Sequence, residues 1–160
     1  MKTIAPGLRL RDETPEDEPF LRGLFLAVRG PEFAATGLPP AAIEQLMATQ
    51  FILQSSQYRA TFRDADWHIV EHQGVPVGRL YVAREMAGRA LFDISLLPDV
   101  SGRGIGGKLI DHVLAEAQAA GRTVRLTVRT TNPARRLYLR KGFVETGMEG
   151  ADIGMLWRPS

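Results

Sequence analysis

The chain has 160 residues, 44% hydrophobic and 24% charged, a composition that supports one globular domain with a sizeable core. The formal net charge is only +2 and the basic residues are scattered, which argues against nucleic-acid binding. No cysteine is present, so disulfides, thiolate metal sites and an acyl-cysteine intermediate are excluded.

No apolar run approaches a membrane span, and the N-terminal MKTIAPGLRLRDET has no signal-peptide apolar region, so a cytoplasmic protein with no membrane partner is expected. Leu8–Thr14 alternates like a short strand. It runs into Thr14-Pro15-Glu16-Asp17, an N-cap with proline at the first helical position and an acid three residues on. Phe20, Leu21, Leu24, Phe25 and Val28 then recur at helical spacing up to Gly30-Pro31. A second helix is predicted after Pro39-Pro40, with Ile43, Leu46, Met47, Gln50 and Phe51 along it.

From Trp67 the pattern changes to strands over 66–72, 75–85 and 89–97, separated by the turn signals Gln73-Gly74 and Ala87-Gly88. Ile105, Leu109, Val113, Leu114 and Ala117 then form one apolar stripe on a helix ended by Gly121. TVRLTV, 123–128, reads as a buried strand. Asn132 and Pro133 open a short helix stopped at Gly142, and 143–148 with 152–157 make a final hairpin. His68, His72 and His112 lack partners at ligand spacing, so no metal is expected. Hairpins beside a strand–helix–strand crossover imply a mixed sheet with helices on its faces.

The stretch SGRGIGGKL, Ser101 to Leu109, fits three phosphate-binding patterns. A dinucleotide fingerprint needs its glycines directly after a strand and an acid about 20 residues on. Here Pro98–Ser101 intervene, and the next strand ends in Arg129 and Thr130. A P-loop needs a hydroxyl after the lysine to hold magnesium, whereas Leu109 belongs to the apolar stripe. What survives is a run of amides bared at Gly102, Gly104, Gly106 and Gly107, leading into a helix N-terminus, which suits a pyrophosphate. A tight turn that binds nothing is the plainer alternative. Asp93 also stands out, because it interrupts an apolar strand just before this loop, as a base acting through a water relay more readily than by contact, or as a structural or acceptor-contacting carboxylate; Glu71, on a neighbouring strand, is the second candidate base.

LLPDVSGRGIGGKL followed by NPARRLYLRKGF resembles the two signature stretches of the GCN5-related N-acetyltransferase (GNAT) family. Gly104 and Gly106 match the glycines of the first stretch; Asn132, Ala134, Leu137, Tyr138, Gly142 and Phe143 match the second. Ser101 departs from the family's Arg or Gln, which leaves the backbone donors intact but removes a side-chain contact that Arg103 could take over. The resemblance implies an α/β fold: one domain over 1–160, with a mixed, mostly antiparallel sheet of six to seven strands and helices on both faces. Residues 88–145 would form the acetyl-CoA-binding core and 14–66 the acceptor-side helices.

It implies, further, that the fourth and fifth strands splay and that pantetheine pairs with backbone near Leu96 and Leu97, where an amide would also hold the oxyanion. The phosphates would meet the loop Ser101, Gly102, Arg103, Gly104, Ile105, Gly106, Gly107 and Lys108, with Arg135 nearby. Asn132 would cap its helix and touch pantetheine or orient Tyr138. Tyr138 would protonate the departing thiolate, or serve as a core aromatic. The implied reaction is direct acetyl transfer from acetyl-CoA, as co-substrate, to a primary amine in a ternary complex. An acyl-CoA sensor without turnover is the alternative. Monomer and homodimer both remain open. The acceptor would meet the N-terminal helices, a loop around Tyr58–Trp67 and the last hairpin, with Tyr58, Phe62 and Trp67 walling a pocket or packing the core.

Overall fold

The turn at Gln73-Gly74 sets the central hairpin. Both residues take positive φ, 53° and 77°, the left-handed pair that lets a two-residue turn match strand twist. In the computed structural model, which describes residues 1–160, this turn joins β3 (Ala65–His72) to β4 (Val75–Arg84), and a second return leads to β5 (Gly88–Leu96).

Ahead of them, β2 (Leu8–Asp12) pairs antiparallel with β3, as its alternation predicts. A further strand, β1 (Lys2–Ala5), folds back on β2 and forms one edge of the sheet. It raises the strand number to eight, above the six to seven expected, because four partly exposed residues are too few to show a period. The remaining strands are β6 (Thr123–Arg129), β7 (Val144–Glu149) and β8 (Asp152–Trp157). The order is β1-β2-β3-β4-β5-β6-β8-β7, and every neighbouring pair is antiparallel except β5 with β6.

That one parallel pair is short. Its register covers only Gly88 to Ala90 against Thr123 to Arg125. A Cβ on Gly88 would lie 2.2 Å from the Thr123 hydroxyl, so glycine permits the close approach where the strands meet. Beyond Ala90 the two diverge, and β6 continues its pairing with β8 alone. This is the splay that the resemblance assigns to the fourth and fifth strands, displaced by one in number because of β1.

On one face lie α3 (Ile105–Ala120) and α4 (Ala134–Arg140). The α3 stripe of Ile105, Leu109, Ile110, Val113, Leu114 and Ala117 packs on Leu8, Leu10, Val70, Leu80 and Val124 to make the main core. Burying such a side chain stabilises the fold by about 1.5–3 kcal/mol. Gly121, at φ 65°, ends the helix in the left-handed conformation.

The other face carries α1 (Glu18–Arg29) and α2 (Pro40–Thr61) over a smaller core of Leu21, Phe25, Met47, Phe51 and Ile69. One 3-10 turn, Pro15–Asp17, precedes α1, and the Asp17 carboxylate accepts the Thr14 N–H at 2.8 Å. The helix α2 runs to Thr61, so Tyr58 sits on its last turn and not in a loop. Only Met47 and Phe51 of α2 are fully buried, which is why its extent left a weak periodic trace.

Candidate active site

The glycine loop leaves β5 through a 3-10 turn, Pro98–Val100, and enters α3 directly. Gly102 and Gly104 hold φ near the left-handed helix, 81° and 79°, which only glycine adopts at no cost. No amide from Gly102 to Gly107 donates to a backbone carbonyl, and Lys108 is the first to close the ladder, onto Gly104 at 3.2 Å. The result is a row of free N–H donors at the positive end of a helix. Gly106 and Gly107 have helical φ, and a Cβ there would meet nothing nearer than 3.9 and 3.7 Å. Packing within the chain therefore does not require glycine at either position.

Around the loop the predicted residues divide. Ile105 buries its side chain in the core and offers only its amide. Ser101, Arg103 and Lys108 are exposed. Arg135 is paired with Glu145 at 2.7 Å. Lys141, which sequence patterning did not single out, brings its Nζ to within 3.8 Å of where a Gly107 Cβ would sit, and also pairs with Asp111 at 2.8 Å.

Where β5 and β6 part, a cleft of about 820 Å³ opens, lined by Leu91 to Ser95, Leu126 to Arg129, Leu24 and Phe25 of α1, Tyr58 of α2, Asn132 and Tyr138. Strand parity decides which main-chain groups face it. Leu97 donates its N–H to Val77 O at 2.8 Å, and the Ser95 carbonyl also points at β4, since it would lie 2.2 Å from a Gly78 Cβ. The amides of Ile94 and Leu96 consequently point the other way, into the opening. Of the two residues expected to serve pantetheine, only Leu96 has its amide turned to the opening; the Leu97 amide is committed to β4.

Asp93 is the hub of a buried network. Its Oδ2 accepts from Tyr58 and from Arg79, each at 2.8 Å, and its Oδ1 accepts from Ser95 Oγ at 2.6 Å. Burial, reinforced by the Asp93 carboxylate, raises the Tyr58 hydroxyl well above its ordinary range, so Tyr58 remains a donor. Arg79 also donates to Gln54 Oε1 at 2.8 Å. Tyr58, Phe62, Trp67 and Tyr81 all pack on Phe92. The aromatics thus form a half-buried cluster of their own, with Tyr81 fully buried, and Tyr58 lines both the main cleft and a second one of about 460 Å³.

Glu71 lies elsewhere. It accepts Arg11 Nε at 2.7 Å, beside Asp17 at the start of α1, and does not line the cleft. Sequence reading missed Arg79, Ser95 and Gln54, and gave Tyr58 only as a pocket wall or a core aromatic. The signal for Arg79 was present, as a lone charge inside the apolar run VPVGRLYV. Ser95 was legible as the next residue after Asp93 on the same strand face.

Tyr138 sits on α4 with its ring against Phe143, 6% exposed, and lines the cleft. Burial, with a further contribution from the Asp93 charge, pushes its hydroxyl up to about 12. Asn132 caps α4, its Oδ1 accepting the Ala134 N–H at 2.9 Å.

The profile of the acetyltransferase (GNAT) domain matches residues 63–145, just over half the chain. The chain belongs to the GNAT acetyltransferase family. The match takes in β3 through α4, hence the splay, the glycine loop and Tyr138 of this GNAT protein. Solved structures share the fold. The PaiA N-acetyltransferase of Thermoplasma acidophilum, in complex with coenzyme A, gives a TM-score of 0.73 at 17% identity over 94% of this chain and 98% of its own. An acetyltransferase of Thermus thermophilus gives 0.69 at 22% identity over 94% and 96%. A spermidine N-acetyltransferase chimera from Vibrio cholerae gives 0.66 at 22% identity over 95% of each chain. No curated protein matches the sequence. No helix of this GNAT domain is long and apolar enough to cross a membrane.

Proposed function

We propose that the chain transfers the acetyl group of acetyl-CoA to a primary amine by direct attack in a ternary complex. The observation that carries this reading is the row of unpartnered amides, Gly102 to Gly107, in the loop that follows β5, the strand whose residues Leu91 to Ser95 line a cleft with Tyr138. Such a row suits a diphosphate, and the free edge of β5 suits the amide groups of a pantetheine arm. Bound acetyl-CoA supplies an acetyl group activated as a thioester.

The chain's own residues supply the rest. The Leu96 amide donates to the acetyl carbonyl oxygen, where negative charge grows during attack. An ammonium acceptor must first lose a proton, at a cost of about 4 kcal/mol near neutral pH. Ser95, beside Leu96 on the cleft wall, passes that proton onward, its own hydroxyl already donating to Asp93. Asp93 thus acts through Ser95 rather than by contact, and Glu71 has no part. Tyr138 has a hydroxyl raised to about 12, while a thiol has a pKa near 8.5. It therefore donates a hydrogen bond to the departing sulfur and keeps its proton, and the thiolate takes up the second proton, the one the nitrogen sheds as the amide forms.

The test is thiol release from acetyl-CoA by the purified chain with polyamines, amino acids, aminoglycosides and peptide N-termini. Amine-dependent release supports transfer. The engagement of Asp93 by three donors favours the second reading, a non-catalytic acyl-CoA sensor. Tight CoA binding by calorimetry without release from any amine would establish that reading instead.

A further inference from the structure

Among the charged groups of the two clefts, two have a buried atom with no hydrogen-bond partner, Arg79 at Nε and Asp152 at Oδ1, and of the two only Asp152 has an oppositely charged atom beside the orphan, Arg129 Nε. Glu32 is paired with Arg29 at 3.4 Å, Asp152 with Arg129 at 3.3 Å, and Glu13 with Arg59 at 2.9 Å. Each acid has a basic partner, so neither cleft presents a surplus of negative charge to a polycation. Arg79 is different. Only its Nη2 is engaged, by Gln54 and Asp93. Nε is buried with no partner, and the side chain is 5% exposed. Buried guanidinium N–H groups without acceptors are costly, and a planar oxyanion is the shape that fits them.

The position of Arg79 gives these donors a use. It lines both clefts and stands opposite Ser95 in the β4–β5 register, one residue from the Leu96 amide. A group held by Arg79 is thus a short distance from an amine poised for attack. We infer that the acceptor is an amino acid, an amine that carries a carboxylate, and that Arg79 recognises that carboxylate. The inference rests on the acetyl-transfer reading and names its substrate class. Arg79 keeps its Nη2 bonds to Gln54 and Asp93, while the remaining N–H groups, on Nε and Nη1, take the ligand one bond at a time.

The test sets amino acids beside the amines left when the α-carboxylate is removed, such as phenylalanine beside phenethylamine and lysine beside cadaverine. Acetyl-CoA is held saturating, and kcat/KM is compared for wild type and Arg79→Lys. Lysine retains a charge for Asp93 but loses the remaining guanidinium N–H donors, and CoA calorimetry verifies that the variant is folded. The expected result is a preference of about tenfold to a hundredfold for one or more amino acids over the matched amine. That preference should fall toward unity in Arg79→Lys. Equal or better turnover of the decarboxylated amines overturns the inference while acetyl transfer stands. A preference unchanged in Arg79→Lys overturns the role of Arg79. Turnover of neither series, with CoA still bound, removes the inference together with the reading beneath it.

Discussion

Arg79 and Asp93 hold each other across the β4–β5 pair, Nη2 to Oδ2 at 2.8 Å, with side chains only 5% and 8% exposed. Taking both charges out of water is expensive, and removing one partner leaves the other stranded. Asp93→Ala should therefore lower stability by about 3–5 kcal/mol in urea unfolding. Replacing both together, as Arg79→Met with Asp93→Leu, should recover most of the loss. A double variant as unstable as the single one would contradict this account.

Gly106 separates ligand binding from folding. A Cβ fits there, with Leu137 and Leu96 carbons at 3.9 Å, and alanine is the better helix former. Gly106→Ala should leave the thermal midpoint equal or higher and yet weaken CoA about tenfold, roughly 1.4 kcal/mol, by crowding the bared amides. Calorimetry beside a melting curve reads both, and undiminished CoA affinity would remove Gly106 from the binding loop.

Tyr138→Phe should slow turnover by about ten- to a hundred-fold, with CoA affinity little changed. Because burial keeps the hydroxyl protonated up to about 12, the pH–rate profile between pH 6 and 10 should have the same shape in both proteins. A basic limb present in wild type and missing from the variant would show Tyr138 titrating in that range, against the proposed role.

Acid should loosen the start of α1. The hydrogen bond from Arg11, against the opposing effect of burial, holds the Asp17 carboxyl below the usual carboxylate range. A depressed folded value means that the stabilisation is full above about pH 4 and disappears as pH falls through that lower value. Asp17→Asn should flatten the decline in urea midpoint on acidification. An unchanged slope would assign the acid sensitivity to other groups.

The features legible in the sequence are local ones. Gln73-Gly74, the α3 stripe with Gly121, and the Asn132-Pro133 helix start each encode their conformation within a few residues, and each is found as read. The glycine loop was legible for the same reason. The Arg79–Asp93 pair was not, because it depends on β4–β5 register, which brings together residues far apart in spacing. Register also decides that Leu96 rather than Leu97 faces the opening. The extent of α2 was obscured by its exposure, since a helix with two fully buried side chains leaves little pattern to follow.

The divergence of β5 from β6 has one more consequence. Unpaired strand edges at the rim of a sheet invite other chains to add on, and proteins usually blunt them. Here the unsatisfied rungs are inside the sheet, flanked by β4 and β6 and roofed by Leu24 and Phe25. On the proposed reading a slim polyamide tail pairs with those rungs, whereas a foreign strand would have to enter between two strands already held by β4 and β8. The molecule can thus keep main-chain hydrogen bonds waiting for a small visitor without becoming a seed for aggregation.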